Sequence, residues 1–122
     1  MPQTQVVFYR EDDGTVPLLE WLDALPRPAV VKCRVKLDRL KELGHELRRP
    51  EGDYLRDGIY ELRVRLGRVN YRMLYFFYQD IAAVVSHGVV KEQRVPPKDI
   101  DRAIIAKDRF GKDPSRHTHQ ET

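Results

Sequence analysis

Two arginines and one histidine in the middle of the sequence are the residues best suited to chemistry. Guanidinium groups bind phosphate, and an imidazole can transfer protons near neutral pH. The arginines belong to an alternating stretch at residues 60–72, YELRVRLGRVNYR. A two-residue hairpin turn at Gly67-Arg68 places Arg63 directly opposite Arg72. The pattern therefore predicts two cations facing each other across neighbouring strands.

A second predicted turn brings the histidine into the same row. If Gln79-Asp80 is also a two-residue turn, His87 lies opposite Arg72, and the three side chains share one open face of the sheet. A one-residue bulge would move side chains to the opposite face, so this register is a hypothesis.

The predicted row is electrostatically unfavourable without an anion. Two opposed arginines repel unless a bound anion or an acidic side chain lies between them. A phosphate is one candidate, and structural pairing of Arg63 with Glu61 or Asp57 is the alternative. Arg65 projects from the same face as the row. The other face is the predicted core and carries Leu62, Val64, Tyr71, Met73 and Tyr75.

The elements that would position this row alternate in a recognisable order. Hydrophobic periodicity predicts strands at 5–9, 59–66, 69–78 and 81–88, and helices at 17–25, 28–43 and 97–110. Thr15 is the predicted N-cap of the first helix. The order βααβββα predicts an α+β fold, an antiparallel sheet with helices packed against it.

Composition limits the class of protein. The 122 residues fit one domain, predicted at 1–110, followed by a flexible C-terminal tail at 111–122. The single Cys33 excludes an internal disulfide and favours a reducing compartment, the cytoplasm. We expect no structural metal and no membrane span. Residues 27–72 hold 13 basic and 7 acidic residues, which indicates either a solvated helix surface or an RNA-facing ridge.

Three short motifs carry a family resemblance. They are ELR, YR-x-L-Y-F-F and H-G-x-x-K, in that order within residues 55–97. The segment resembles the HigB-like, phage-derived branch of the RelE/ParE toxin superfamily, and the likeness extends over roughly residues 5 to 110. It implies a RelE-like fold with two N-terminal helices and a C-terminal helix.

The resemblance also implies a function. HigB-like proteins are toxins of type II toxin-antitoxin systems and resemble ribosome-dependent, metal-independent endoribonucleases that cleave mRNA without a cofactor. Their implied partner is a small antitoxin, often of the helix-turn-helix type. By position, Arg63, Arg72 and Lys91 match the family's basic residues. Glu92 replaces a second lysine of many relatives, and Arg94 follows.

Metal-free RNA cleavage assigns roles to these residues. It needs a base for the 2′-hydroxyl, cations for the phosphorane and an acid for the leaving oxygen. His87 is the predicted acid or base, while Arg63 and Arg72, assisted by Arg65, Lys91 and Arg94, would hold phosphate. The second proton-transfer group is left unassigned.

Several alternatives stay open at this stage. Tyr78 either stacks on an RNA base or packs at the sheet edge. The chain could instead be a non-enzymatic ParE-like inhibitor of DNA gyrase, or an inactive relative that only binds an antitoxin. The sequence does not fix the oligomeric state.

Overall fold

A computed structural model describes residues 4–79, 82–90 and 94–121 of the chain. The α+β class is confirmed, and the architecture is consistent with a RelE-like fold. The prediction omitted two strands, at Gly52–Arg56 and Thr118–His119. The elements are β1 Gln5–Tyr9, α1 Pro17–Asp23, α2 Arg27–Leu43, a 3-10 turn Gly44–Glu46, β2 Gly52–Arg56, β3 Ile59–Leu66, β4 Val69–Tyr78, β5 Ala82–Val90, α3 Pro97–Lys112 and β6 Thr118–His119.

Within the described ranges the strands form one six-stranded sheet in the order β2-β3-β4-β5-β1-β6. The strands from β2 to β5 are antiparallel neighbours, which confirms the predicted antiparallel order of β3, β4 and β5 and adds β2 beside β3. The pair β1 and β5 is parallel, with Phe8 opposite Val85, which the prediction of an antiparallel sheet did not include. The helical hairpin between β1 and β2 provides the long connection that lets β1 insert beside β5.

Both faces of the sheet are covered. Helices α1 and α2 pack on the face that carries all five predicted core residues of the β3–β4 hairpin, so that prediction is confirmed. Helix α3 packs on the opposite face, against Leu74, Phe76 and Val84. The face predicted to be open is therefore partly closed by α3. None of the helices in the described ranges is long and apolar enough to span a membrane.

The helical hairpin follows from its sequence pattern. Buried Ala29, Cys33, Leu37 and Leu40 make one stripe along α2, and Gly44, with φ of 52°, ends it. Thr15 does not cap α1, because Val16 occupies the N-cap position without a side-chain hydrogen bond.

The C-terminal segment differs from its prediction. Residues 111–122 were expected to lack regular structure, but Gly111 and Lys112 belong to α3, and Thr118–His119 pairs with β1. The buried His117 ring stacks on Tyr9 with centroids 5.3 Å apart. Tertiary contacts thus order a segment whose composition carries no periodic signal.

Candidate functional site

The β3–β4 hairpin places the two arginines as predicted. Gly67 has φ of 61°, which suits a tight turn, and Leu66 pairs with Val69 across it. Arg63 consequently lies opposite Arg72, and this part of the register is confirmed.

A buried glutamate lies between the opposed arginines. Glu61 precedes Arg63 by two residues on β3, so it projects to the same face, and it is 1% exposed. Its Oε1 accepts a hydrogen bond from Arg63 Nε at 2.8 Å and lies 3.4 Å from Arg72 Nη1. The anion that the opposed cations require is supplied by the chain itself.

The two arginines differ in how accessible they are. The Arg72 side chain is 12% exposed, whereas that of Arg63 is 38% exposed. Arg63 Nη2 also lies 3.6 Å from Asp53 Oδ2, which accepts a hydrogen bond from Arg49. That hydrogen bond holds the pKa of Asp53 below its usual value. The site thus holds three cations, from Arg49, Arg63 and Arg72, around the carboxylates of Asp53 and Glu61. One positive charge is in excess, and Arg63 faces solvent.

His87 does not complete the predicted row. Arg72 lies opposite Val89, and His87 lies opposite Leu74. Tyr78 pairs with Ala82, one residue further along than the predicted register, and the predicted turn residue Asp80 and strand residue Ile81 lie outside the described residues. A bulge between the pairs of Leu74 and Tyr75 adds a second displacement, at Ser86.

These two displacements cancel each other in their effect on the face to which His87 projects. Each alone would turn the side chain of His87 to the other side of the sheet, but together they restore its side. The histidine therefore shares a face with Arg72 but is two cross-strand pairs away, in the row of Glu61 and Leu74.

The predicted exposure of His87 is wrong. It is 2% exposed, because α3 covers it. Its Nδ1 is 2.8 Å from Ser86 Oγ, and its Nε2 is 3.3 Å from Asp99 Oδ1 on α3. Burial, aided by the charge of Arg102, lowers the pKa of His87 to about 4, against the opposing effect of Asp99. The histidine is thus neutral at pH 7 and fastens α3 to β5.

The structure describes three further predicted residues, Tyr78, Arg94 and Arg65. Tyr78 ends β4, and its ring packs edge-to-face with the ring of Phe110, with centroids 5.1 Å apart, which agrees with a packing role. Arg94 is exposed ahead of α3. Arg65 is exposed, and its Nε donates to the Gly67 carbonyl at 3.1 Å. Lys91 lies outside the described residues.

With the geometry established, comparison with known proteins gives the family. The sequence profile described as "Phage derived protein Gp49-like (DUF891)" matches residues 20–108 of the chain. The chain belongs to the Gp49-like family. No curated protein matches the sequence. Membership of the Gp49-like family is compatible with a toxin of a toxin-antitoxin system.

The matched region of this Gp49-like protein contains Arg49, Arg63 and Arg72 with Asp53 and Glu61, which we call the arginine cluster. It covers α2, β2 to β5 and most of α3, while β1 and β6 lie outside it. The sequence analysis named Glu61 as a structural partner of Arg63, and that pairing is confirmed, but it did not include the contact of Glu61 with Arg72. It also missed a groove beside α2 that contains both arginines.

Proposed function

We propose that this Gp49-like protein is the toxin of a type II toxin-antitoxin pair in the HigB-like branch. Its proposed activity is metal-independent, ribosome-dependent cleavage of mRNA, and its proposed partner is a helix-turn-helix antitoxin. The observation that carries the proposal is the opposed pair Arg63 and Arg72 around the Glu61 carboxylate, with the Arg63 side chain 38% exposed.

The proposed chemistry begins with an exchange of anions. A phosphodiester that reaches Arg63 competes with Glu61 for the guanidinium, and two arginines can then stabilise charge on the phosphorane. Released from Arg63, the Glu61 carboxylate becomes free to accept the proton of the 2′-hydroxyl as the 2′-oxygen attacks phosphorus. The bond from phosphorus to the 5′-oxygen then breaks, and the departing 5′-oxygen takes a proton from water. Glu61 thus becomes the proposed base in place of His87.

His87 enters this scheme through α3. Because it is buried and bonded to Asp99, it has no path to a substrate while α3 is in place. We therefore assign it a positioning role, in which it holds α3 beside the arginine cluster. Arg65, Arg94 and Lys91 stay candidates for outer phosphate contacts.

The test is a cleavage assay on ribosomes programmed with a defined mRNA. Arg63→Ala and Arg72→Ala should each lower the cleavage rate by about a hundredfold. The matched control is Arg68→Ala, which removes an exposed arginine from the hairpin turn. Equal rates for Arg68→Ala and the two site variants, with folding verified by circular dichroism, would remove the assigned roles.

The burial of His87 and Glu61 favours a second candidate, a toxin that acts by binding alone. The ParE-like reading belongs to this class. Growth arrest on expression without RNA cleavage, together with inhibition of gyrase supercoiling, would establish it in place of the endoribonuclease.

A further inference from the structure

Helix α2 and the β3–β4 hairpin border a groove of about 690 Å³, which we call the α2 groove. It lies beside the arginine cluster and combines apolar and cationic side chains. The lining residues are Val31, Lys32, Val35, Lys36, Pro50, Arg63, Val64, Arg65, Asn70, Tyr71 and Arg72.

Two valines form an exposed apolar wall of the α2 groove. Val31 and Val35 are one helical turn apart, and they are 55% and 54% exposed. They lie off the stripe by which α2 packs on the sheet. Deeper in the groove, Val64 and Tyr71 belong to the core. The groove thus presents adjacent apolar side chains that the described part of the chain leaves exposed.

The polar part of the lining has one sign of charge. Among the residues that the structure describes, the lining includes five cations and no acidic side chain. Lys36 pairs with Glu51 at 3.2 Å. Lys32 and Arg65 have no carboxylate within salt-bridge distance among the residues that the structure describes. Lys32 Nζ donates instead to the Arg65 carbonyl at 3.1 Å.

The groove also follows an unpaired part of the sheet edge. Strand β2 pairs with β3 only as far as Leu62, and the next contact is the Arg63 N–H donating to the Glu51 carbonyl at 2.8 Å. Beyond it, in the described ranges, no strand pairs with Arg65 on the side away from β4. Exposed edges of this kind are places where a partner chain can dock.

We propose that the α2 groove binds an acidic amphipathic segment of a partner protein. Its apolar side chains would contact Val31 and Val35, and its carboxylates would pair with Lys32 and Arg65. Charge complementarity selects an acidic partner. The valines favour a protein segment over RNA, because an apolar side chain cannot form a hydrogen bond or an ion pair with a phosphodiester. The binding does not depend on the proposed RNA cleavage, although an occupant would cover Arg63 and Arg72.

The experiment selects ligands for the full chain from a display library of random peptides long enough for four helical turns. We expect recovered peptides to be enriched in both aliphatic and acidic residues. The double substitution Val31→Ser and Val35→Ser should weaken their binding about tenfold or more by fluorescence anisotropy. The control, Ile105→Ser, changes a side chain on α3 that is 52% exposed and should leave affinity unchanged.

A charge variant tests the second half of the proposal. Lys32→Glu with Arg65→Glu should weaken the same peptides by a similar factor, and added salt should reduce binding of the parent protein. Circular dichroism verifies that each variant is folded.

Four results would overturn the proposal. The first is that no acidic peptides are recovered, and the second is that peptides bind the valine variant as tightly as the parent protein. The third is that the parent protein binds an RNA oligonucleotide but no peptide, and the valine variant loses that RNA binding. The fourth is that sedimentation shows two copies of this chain associating through the valines.

Discussion

Glu61 accepts a hydrogen bond from Arg63 over 2.8 Å while being 1% exposed. Arg72 lies 3.4 Å from the same carboxylate oxygen, Oε1. One buried anion therefore keeps two facing guanidinium groups together. The relationship explains how the hairpin tolerates opposed arginines without a ligand, and it identifies the position that a substrate phosphate would have to enter.

Glu61→Gln should destabilise the protein, because it removes the charge while keeping the size of the side chain. We expect the free energy of unfolding to fall by about 1–3 kcal/mol in urea denaturation. Solvent screening at Arg63 moderates the effect. Glu46→Gln is the control, since Glu46 is exposed.

The same variant tests whether Glu61 occupies an anion position. Inorganic sulfate should raise the Tm of Glu61→Gln more than that of the parent protein, because sulfate can then take the place of the carboxylate. Identical shifts in both proteins would contradict that interpretation.

Gly88→Ala should be strongly destabilising because Trp21 packs directly on the β5 backbone. A Cβ at Gly88 would lie 2.0 Å from Cδ2 of the Trp21 ring. Overpacking of this kind costs about 1–3 kcal/mol, measured by denaturation, and should alter Trp21 fluorescence.

Gly111→Ala is the matched control for that substitution. Gly111 is exposed in α3, and a Cβ there has no neighbour within 4 Å. This change should raise stability by about 0.4–1 kcal/mol. If both alanine variants behave alike, Trp21 does not constrain Gly88 in solution.

His87 should make stability depend on pH in a defined window. Its pKa is lowered from 6.5 to about 4, so below pH 6.5 the unfolded chain takes up a proton that the folded chain refuses. Stability should therefore fall as pH decreases from about 6.5 towards 4, by up to about 3 kcal/mol. Urea denaturation at several pH values measures this slope.

His87→Gln isolates the contribution of the histidine. The variant should lose most of the dependence in that window, because glutamine does not titrate. Unchanged slopes would mean that His87 is accessible to protons in the folded state.

The features that depend on local periodicity were predicted correctly from the sequence. The prediction failed where the geometry of a single residue determines the register of a strand. The stripe of α2 and the alternation of β3 and β4 are local patterns, and the Gly67 turn fixed the pairing of Arg63 with Arg72. The bulge at Ser86 has no such signal, and it moved His87 away from Arg72. Exposure was also mispredicted, because the placement of α3 over His87 is a tertiary outcome.

The last prediction concerns the segment that composition described as a flexible tail. Removing residues 113–122 should destabilise the fold, because β6 covers the outer edge of β1, and the Arg10 N–H donates to the His117 carbonyl at 2.9 Å. We expect a loss of about 1–3 kcal/mol and self-association through the uncovered strand edge. Denaturation and sedimentation measure the two effects.

Two single substitutions separate packing from surface charge in this segment. His117→Ala removes the ring stacked on Tyr9 and should reproduce part of the loss. Arg116→Ala removes an ion pair with Asp12 whose side chains are 59% and 61% exposed, so it should change stability little. A truncated chain that is as stable and monomeric as the full chain would show that the tail contributes nothing to the fold, as its composition alone predicts.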